Sequence, residues 1–454
     1  MKFQKHRVML FTFLFLLSNF AYGQGWLANR VAVVSSQGAA PNIVTKPIPQ
    51  PSGTIVKVST VKNESELGKR INLADKMIGG RDGSIVVDVV GAIETPLHLT
   101  SNHRLYFGAG EYSLSVPGKE AAAIMLENNN AIYGAGINKT ILLEPTNGYY
   151  VIAGAGLLLD KANGVEWAGI RSNITLAGFT IRGRNTAVEG GVRSAVALGN
   201  AHDVHIYNIA LENTSALGVT AGGNGASGNH AERWLVEESF SRGSASQAWN
   251  VVNGRDITFK HIIALDMGKL CSGNPCEGAT AFDVEPNVSQ DAASNITITD
   301  CWVDSSNSTF LHGNGILIQN GAGVPDFGPV TVTRNHVDGG PHYRIATGIY
   351  VAAQNTTATD NYVTRVGHSG LRLEGATGNQ IERNELVSTG TGGIHAFEII
   401  NSSGNTIRSN TVRVDPQWPL GNSIMVEIGK SDKNSYRGNR VTTLTVIGKQ
   451  SRVE

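Results

Sequence analysis

Several things are scarce in this chain. Among 454 residues there are three cysteines, 14 prolines and 7% aromatic residues, and Lys+Arg balance Asp+Glu at 37 each. Three cysteines are too few for a disulfide-stapled scaffold. A zero net charge without a basic tract removes the electrostatic footprint of a nucleic-acid binder. Low proline, with Val, Ile and Leu recurring throughout, argues against a disordered chain. Beyond the N-terminal segment no apolar run is long enough to cross a membrane as a helix. Glycine is abundant, at 54 residues, which suits a β protein rich in turns.

The chain opens with a basic head of Lys2, Lys5 and Arg7, then an apolar stretch from Val8 to Leu17, then Ala21-Tyr22-Gly23. This pattern predicts a secretory signal peptide over residues 1–23, cleaved before Gln24. No cysteine directly follows the cleavage point, which argues against a lipoprotein signal. Residues 24–52, with Pro41, Pro47, Pro49 and Pro51 among small and polar residues, read as a linker. Residues 53–454 read as one domain. Near its start Leu67, Ile71, Ala74 and Ile78 share one apolar face, predicting a helix over 64–78. Asn63 or Ser65 would cap it, and Gly79-Gly80 would end it.

The rest of the chain repeats. "VTVTRNHV", "TTATDNYV", "NQIERNEL", "NTIRSNTV" and "NSYRGNRV" share Asn335, Asn361, Asn384, Asn410 and Asn439, at steps of 26, 23, 26 and 29 residues. Cys301, Ile262, Ile209 and Phe179 hold the same place upstream. "YFGAG" at 106–110 and "IYGAG" at 132–136 repeat at 26. Each unit carries two or three short alternating strands and no room for a helix. A unit of this length that returns to the same phase is one coil of a solenoid. Asparagine at the bend suits a left-handed backbone, and its amides can bond from coil to coil. Cys301 takes a slot in that inward ladder and reads as a buried thiol.

These repeats resemble the right-handed parallel β-helix of the pectin-lyase-like superfamily over roughly residues 55–445. The resemblance implies an all-β, right-handed parallel β-helix solenoid. The N-terminal helix would cap its open end.

Strands aligned across coils place side chains. Trp249/Val251, Phe282/Val284, Ile316/Ile318, Ile349/Val351, Leu371/Leu373, Phe397/Ile399 and Val426/Ile428 are predicted to point inward. One outward file is then Asn250, Asp283, Leu317, Tyr350, Arg372, Glu398 and Glu427. The other is Val252, Glu285, Gln319, Ala352, Glu374, Ile400 and Gly429. Asp283 and Glu285 stand side by side, about 6.5–7 Å apart along the strand. That spacing suits two carboxyl groups flanking a glycosidic bond. It equally suits a Ca²⁺ site, since hard cations take carboxylate oxygens. The longest coils surround this strand, and long loops on a rigid scaffold commonly carry function. One of these loops holds Cys271 and Cys276 in "CSGNPC", which could close a small disulfide in an oxidising compartment. Arg372, three coils from Asp283, could hold an acidic sugar, with Tyr350 stacking on a ring. The plainer use of Arg372 is a surface ion pair with Glu398. Glu374 and His395 join the same groove.

The resemblance also implies motifs. Polygalacturonase-like hydrolases carry Asn-Thr-Asp, Asp-Asp, Gly-His-Gly and Arg-Ile-Lys in order. Here "WNVVNG" supplies Asn250 without an aspartate, "FDVEP" supplies Asp283 and Glu285, "LHGNG" supplies His312, and "YRIAT" supplies Arg344 with Ala346 in place of lysine. Pectate-lyase-like enzymes imply Ca²⁺ ligands, for which Asp283 and Glu285 qualify. They also imply a basic proton acceptor, for which Arg344, Lys269 or Arg372 qualify. The Asp-Pro-His-Asp motif of alginate epimerases is absent, and "FDVEPN" resembles it only in outline. The expected protein is exported to the periplasm or outside the cell. It cleaves an acidic polysaccharide by hydrolysis or β-elimination, or only binds one. Asp283, Glu285, His312 and Arg344 are the candidate catalytic residues. Asn250, Tyr350, Arg372, Glu374 and His395 are the candidate substrate contacts.

Overall fold

The computed structural model describes residues 43–454 apart from 62–65, 116–121, 146–149, 156, 161–163, 168, 184–193, 224–227, 269–278, 309–310 and 322. The expected signal peptide, most of the expected linker, Asn63, Ser65, Lys269 and the Cys271/Cys276 pair lie outside the described residues.

From Thr45 onward the chain coils through three parallel sheets, of 15, 13 and 12 strands, here called sheets I, II and III. Successive strands of one sheet come from successive coils, so every neighbour is one turn away in sequence. The alternation explains the packing. Trp249, Val251, Phe282, Val284, Ile316, Ile318, Ile349, Val351, Leu371, Leu373, Phe397 and Ile399 are all fully buried in one continuous core.

Helix α1, Leu67–Ile78, begins three residues later than predicted, and Glu66 before it makes no side-chain capping bond. Gly79, at φ 69°, ends it as expected. α1 lies against the terminal strand of each sheet, Thr54–Val58, Ala92–Ile93 and Leu97–Leu99. Its buried Asp75 holds the Nδ1 of buried His103 at 2.6 Å, and Thr100 Oγ1 donates to the other carboxylate oxygen at 2.6 Å. The described end of the linker lies along sheet I. There the Lys46 amide donates to Asn208 Oδ1 at 2.6 Å, and Tyr106 donates to the Gln50 carbonyl at 3.2 Å.

The asparagine ladder is present. Asn335, Asn361, Asn384 and Asn410 each donate from Nδ2 to Oδ1 of the next, the last to Asn439, at 2.9–3.0 Å. Each Oδ1 also accepts from the preceding asparagine's backbone N–H. The Cys301 N–H donates to Asn335 Oδ1 at 2.9 Å, so Cys301 fills the next slot, fully buried. The left-handed residue is not the asparagine, as expected, but the one before it: Arg334, Asp360, Arg383, Ser409 and Gly438 have φ of 53–60°. The sharp corner is thus made just ahead of the side chain that turns inward. A second ladder, Asn379–Asn405–Asn434, stands at another corner with amide bonds of 2.9–3.0 Å.

Seven strands of sheet II build the site: β1 (Trp249–Val251), β2 (Phe282–Val284), β3 (His312–Gln319), β4 (Ile345–Ala352), β5 (Leu371–Glu374), β6 (Phe397–Ile400) and β7 (Ile424–Ile428). Gly348 sits at close quarters ahead of its inward pair. A Cβ there would lie 2.3 Å from Val363 Cγ1 and 2.5 Å from the Gly370 carbonyl. That closeness lets sheet II pass tightly behind sheet III.

The register of Asn250, Asp283, Leu317, Tyr350, Arg372 and Glu398 agrees with prediction. The last coil does not. Glu398 pairs with Val426, and Glu427 pairs with the buried Ile399, so β7 is shifted by one residue and Met425 and Glu427 point inward. Apolarity favoured Val426 and Ile428 as the inward pair. Hydrogen bonding reverses the choice, because the Glu427 carboxylate accepts from Asn434 Nδ2 at 2.6 Å, Ser451 Oγ at 2.8 Å and the Ile447 and Gly448 amides at 3.2 Å.

Candidate functional site

Sheet II carries a cleft of about 400 Å³ lined by Leu311, His312, Gly313, Asn314, Ala346, Thr347, Tyr350, His368, Arg372 and Glu374. Its floor is the outer face of β4 and β5, and its wall is the chain entering β3, β4 and β5. Four residues singled out from sequence line it: His312, Tyr350, Arg372 and Glu374.

The polar floor is tied together. Tyr350 donates its hydroxyl to Glu374 Oε2 at 2.9 Å. Arg372 places Nη2 at 2.7 Å and Nε at 3.0 Å from the same oxygen. Its guanidinium stands 5.7 Å from the Tyr350 ring centroid. Burial and the Glu374 carboxylate push the Tyr350 phenol up to about 12, so it remains a donor. Glu398, the partner expected for Arg372, is the more distant one at 3.8 Å. Glu398 also accepts from Ser369 Oγ at 2.7 Å and faces His395 Nδ1 at 3.4 Å. His395 does not line the cleft.

His312 is fully buried and hydrogen-bonded to Ser305 Oγ. Burial pushes its imidazole down to about 4, against a smaller opposing effect of the Ala279 backbone. It forms a neutral wall of the cleft. Arg344 precedes β4, its backbone tied to Gly339 and His312, and it does not line the cleft.

Asp283 lies two strands from Tyr350 in the same file, with Leu317 between. It does not project into solvent: its exposure is 1%. Burial, then the Glu285 charge, push its carboxyl up to about 8, and Gln247 opposes them. Glu285 is half-buried and is pushed up by burial. Among the described residues Asp283 Oδ1 and Asn250 Oδ1, on neighbouring strands, both lack a hydrogen-bond donor. The two residues pair in register, and a protonated Asp283 can donate where its carboxylate could only accept. Asn250, Asp283, Glu285 and Arg344 are therefore next to the cleft and not in it.

Sequence reasoning missed Asn314, Thr347 and His368. Asn314 follows one of the longest excursions, which was the available signal, whereas Thr347 and His368 sit in coils of ordinary length.

Residues 231–450 match the family model described as periplasmic copper-binding protein (NosD). No curated protein matches this sequence. The Azotobacter vinelandii mannuronan C-5 epimerase AlgE6 A-module is similar in structure, with TM-score 0.57 and 16% identity, over 85% of this chain and 93% of that one. The bacteriophage CBA120 tailspike protein 3 is similar at TM-score 0.55 and 13% identity, over 87% of this chain and 60% of that one. The Streptococcus pneumoniae surface adhesin PfbA is similar at TM-score 0.51 and 14% identity, over 86% of each. Together with the three sheets, these likenesses define the chain as a right-handed parallel β-helix protein.

Copper, which the family description names, takes histidine, cysteine and methionine ligands. Among the described residues no three of His, Cys, Asp and Glu group so as to hold a metal ion. Cys301 is buried, its thiol turned to the Thr299 carbonyl at 3.2 Å. The described residues thus offer no cluster of histidine, cysteine and carboxylate ligands for copper.

Proposed function

We propose that this is an exported β-helix that binds a polysaccharide in the cleft of sheet II and hydrolyses it with Asp283 and Glu285. The cleft carries the reading. It combines an aromatic ring, a guanidinium and a carboxylate, held by one another on rigid strands. That combination suits sugars, which present both apolar ring faces and hydroxyls. Export is supported by the basic-apolar N-terminal pattern and the periplasmic description of the matched family. No described helix is long and apolar enough to cross a membrane.

Asp283 is suited to be the acid, since burial keeps its carboxyl protonated at neutral pH. Its proton passes to the glycosidic oxygen as the bond from the anomeric carbon to that oxygen breaks. Glu285 takes a proton from the water whose oxygen bonds to the anomeric carbon. The pair lies about 10 Å from the cleft floor, two strand spacings, within reach of a sugar chain seated there. Hydrolysis is preferred because a protonated Asp283 can serve as its acid, whereas Arg372, one of the candidate proton acceptors for elimination, is bonded to Glu374. Ca²⁺ held by Asp283 and Glu285 is the competing use of the pair.

The second reading is binding without turnover, as in adhesion. The 1% exposure of Asp283 favours it.

Purified protein incubated with acidic and neutral polysaccharides, with Ca²⁺ or a chelator, decides among these. Hydrolysis predicts new reducing ends without the ultraviolet absorbance of unsaturated uronate, unaffected by chelator. Absorbance that requires Ca²⁺ overturns hydrolysis in favour of a lyase. Retention on a polymer without any cleavage selects the binding reading.

A further inference from the structure

Resting on the glycan reading of the cleft, the charge balance of its floor points to a narrower substrate class. We infer that the cleft takes a neutral glycan, and that Glu374 and Glu398 exclude uronate polymers by occupying Arg372. A uronate chain brings one carboxylate with every ring. Each that is drawn into a partly closed cleft must meet a cation or forfeit its hydration.

Arg372 is the only Lys or Arg among the described lining residues, and it is committed. Glu374 holds Nη2 at 2.7 Å and Nε at 3.0 Å, and Glu398 lies 3.8 Å from Nη1. The tally there is one positive group against two negative ones. Leu311, Gly313, Asn314, Ala346 and Thr347 carry no charge, and His312 is neutral because it is buried. The guanidinium's charge is thus already offset, and an incoming carboxylate meets a floor of net negative charge, the kind of repulsive element by which a site rejects a wrong ligand. A neutral sugar meets no such penalty. Its hydroxyls can donate to Glu374, accept from Arg372 and exchange bonds with Asn314 and Thr347. A neutral sugar also lacks the carboxylate that acidifies the neighbouring C–H in β-elimination, so this assignment agrees with hydrolysis. It departs from the acidic substrate expected from sequence.

The test is retention of the full chain on immobilised glucan, xylan and mannan against polygalacturonate and alginate. Low salt keeps screening small, and the comparison is run at about pH 8, above the ordinary imidazole range. The wild type is expected to be held by a neutral polymer and to pass through both uronate polymers. Glu374→Gln/Glu398→Gln, which frees Arg372, is expected to gain at least tenfold in affinity for a uronate polymer. Glu374→Gln alone, at a half-exposed position, is expected to gain less and guards against misfolding of the double variant. Wild-type retention on a uronate polymer that is lost in Arg372→Gln overturns the neutral assignment and leaves the glycan cleft standing. Retention on no polymer overturns both.

Discussion

Asp283 combines a sheltered position with a carboxyl that prefers to stay protonated. Its shift has a signed consequence for stability. Between its ordinary value of 3.8 and about 8 the folded chain keeps a proton that the unfolded chain releases. Stability from this group therefore falls as pH rises through that window and levels off above it. Asp283→Asn removes the titration. The variant should gain on the wild type between pH 5 and pH 8 in denaturant midpoints measured at both. His312 tilts the other way. Held neutral down to about 4, it costs stability as pH falls below the ordinary imidazole range. An Asp283→Asn midpoint that tracks the wild type at both pH values would contradict a buried, protonated carboxyl.

At the scale of elements, the ladders and the tight strand crossings hold the coils in phase. Asn384 donates to Asn410 Oδ1 and the Ala358 carbonyl, and accepts from the Asn361 amide and side chain. Asn384→Ala leaves buried groups on both neighbouring coils unpaired and should cost about 2–3 kcal/mol in equilibrium unfolding. Gly348→Ala places a methyl group against Val363 and the Gly370 carbonyl and should cost about 1–3 kcal/mol. A neutral Gly348→Ala would mean that sheets II and III part readily at this point.

The inner ladder could be read from sequence because its steps recur and its neighbours alternate. So could the file from Asn250 to Glu398. The shift at β7 could not, since Glu427 is buried through partners at Asn434 and in residues 447–451, and nothing local announces them. The burial of Asp283 was hidden for the same reason. Alternation tells which face a residue is on, but not what lies over that face. The cleft was half legible. Tyr350, Arg372 and Glu374 came from strand register, whereas Asn314, Thr347 and His368 depend on how the chain enters the sheet. The left-handed corners were placed one residue late because asparagine marks the ladder and not the bend.

For the molecule as a whole, each coil is stabilised by its neighbours, so the two ends need separate protection. At one end His103 and Asp75 tie α1 to the first coils, both buried. His103→Ala strands Asp75 in the interior and should cost about 3–5 kcal/mol, with limited proteolysis opening first near α1. At the other end Glu427 gathers the chain from Ile447 to Ser451, so Glu427→Ala should expose the C-terminal residues to proteolysis before the rest. Between the ends the stack is a repeating platform, and the chemistry proposed for it depends on two neighbouring files of side chains across four coils. The most direct measurement is the release of reducing ends from the polymer that the cleft retains, by wild type and by Asp283→Asn, with thermal unfolding recorded in the same buffer. The account predicts a loss of about 10²–10⁴-fold in the variant with unfolding unchanged or shifted upward. Equal turnover in the two proteins would contradict it.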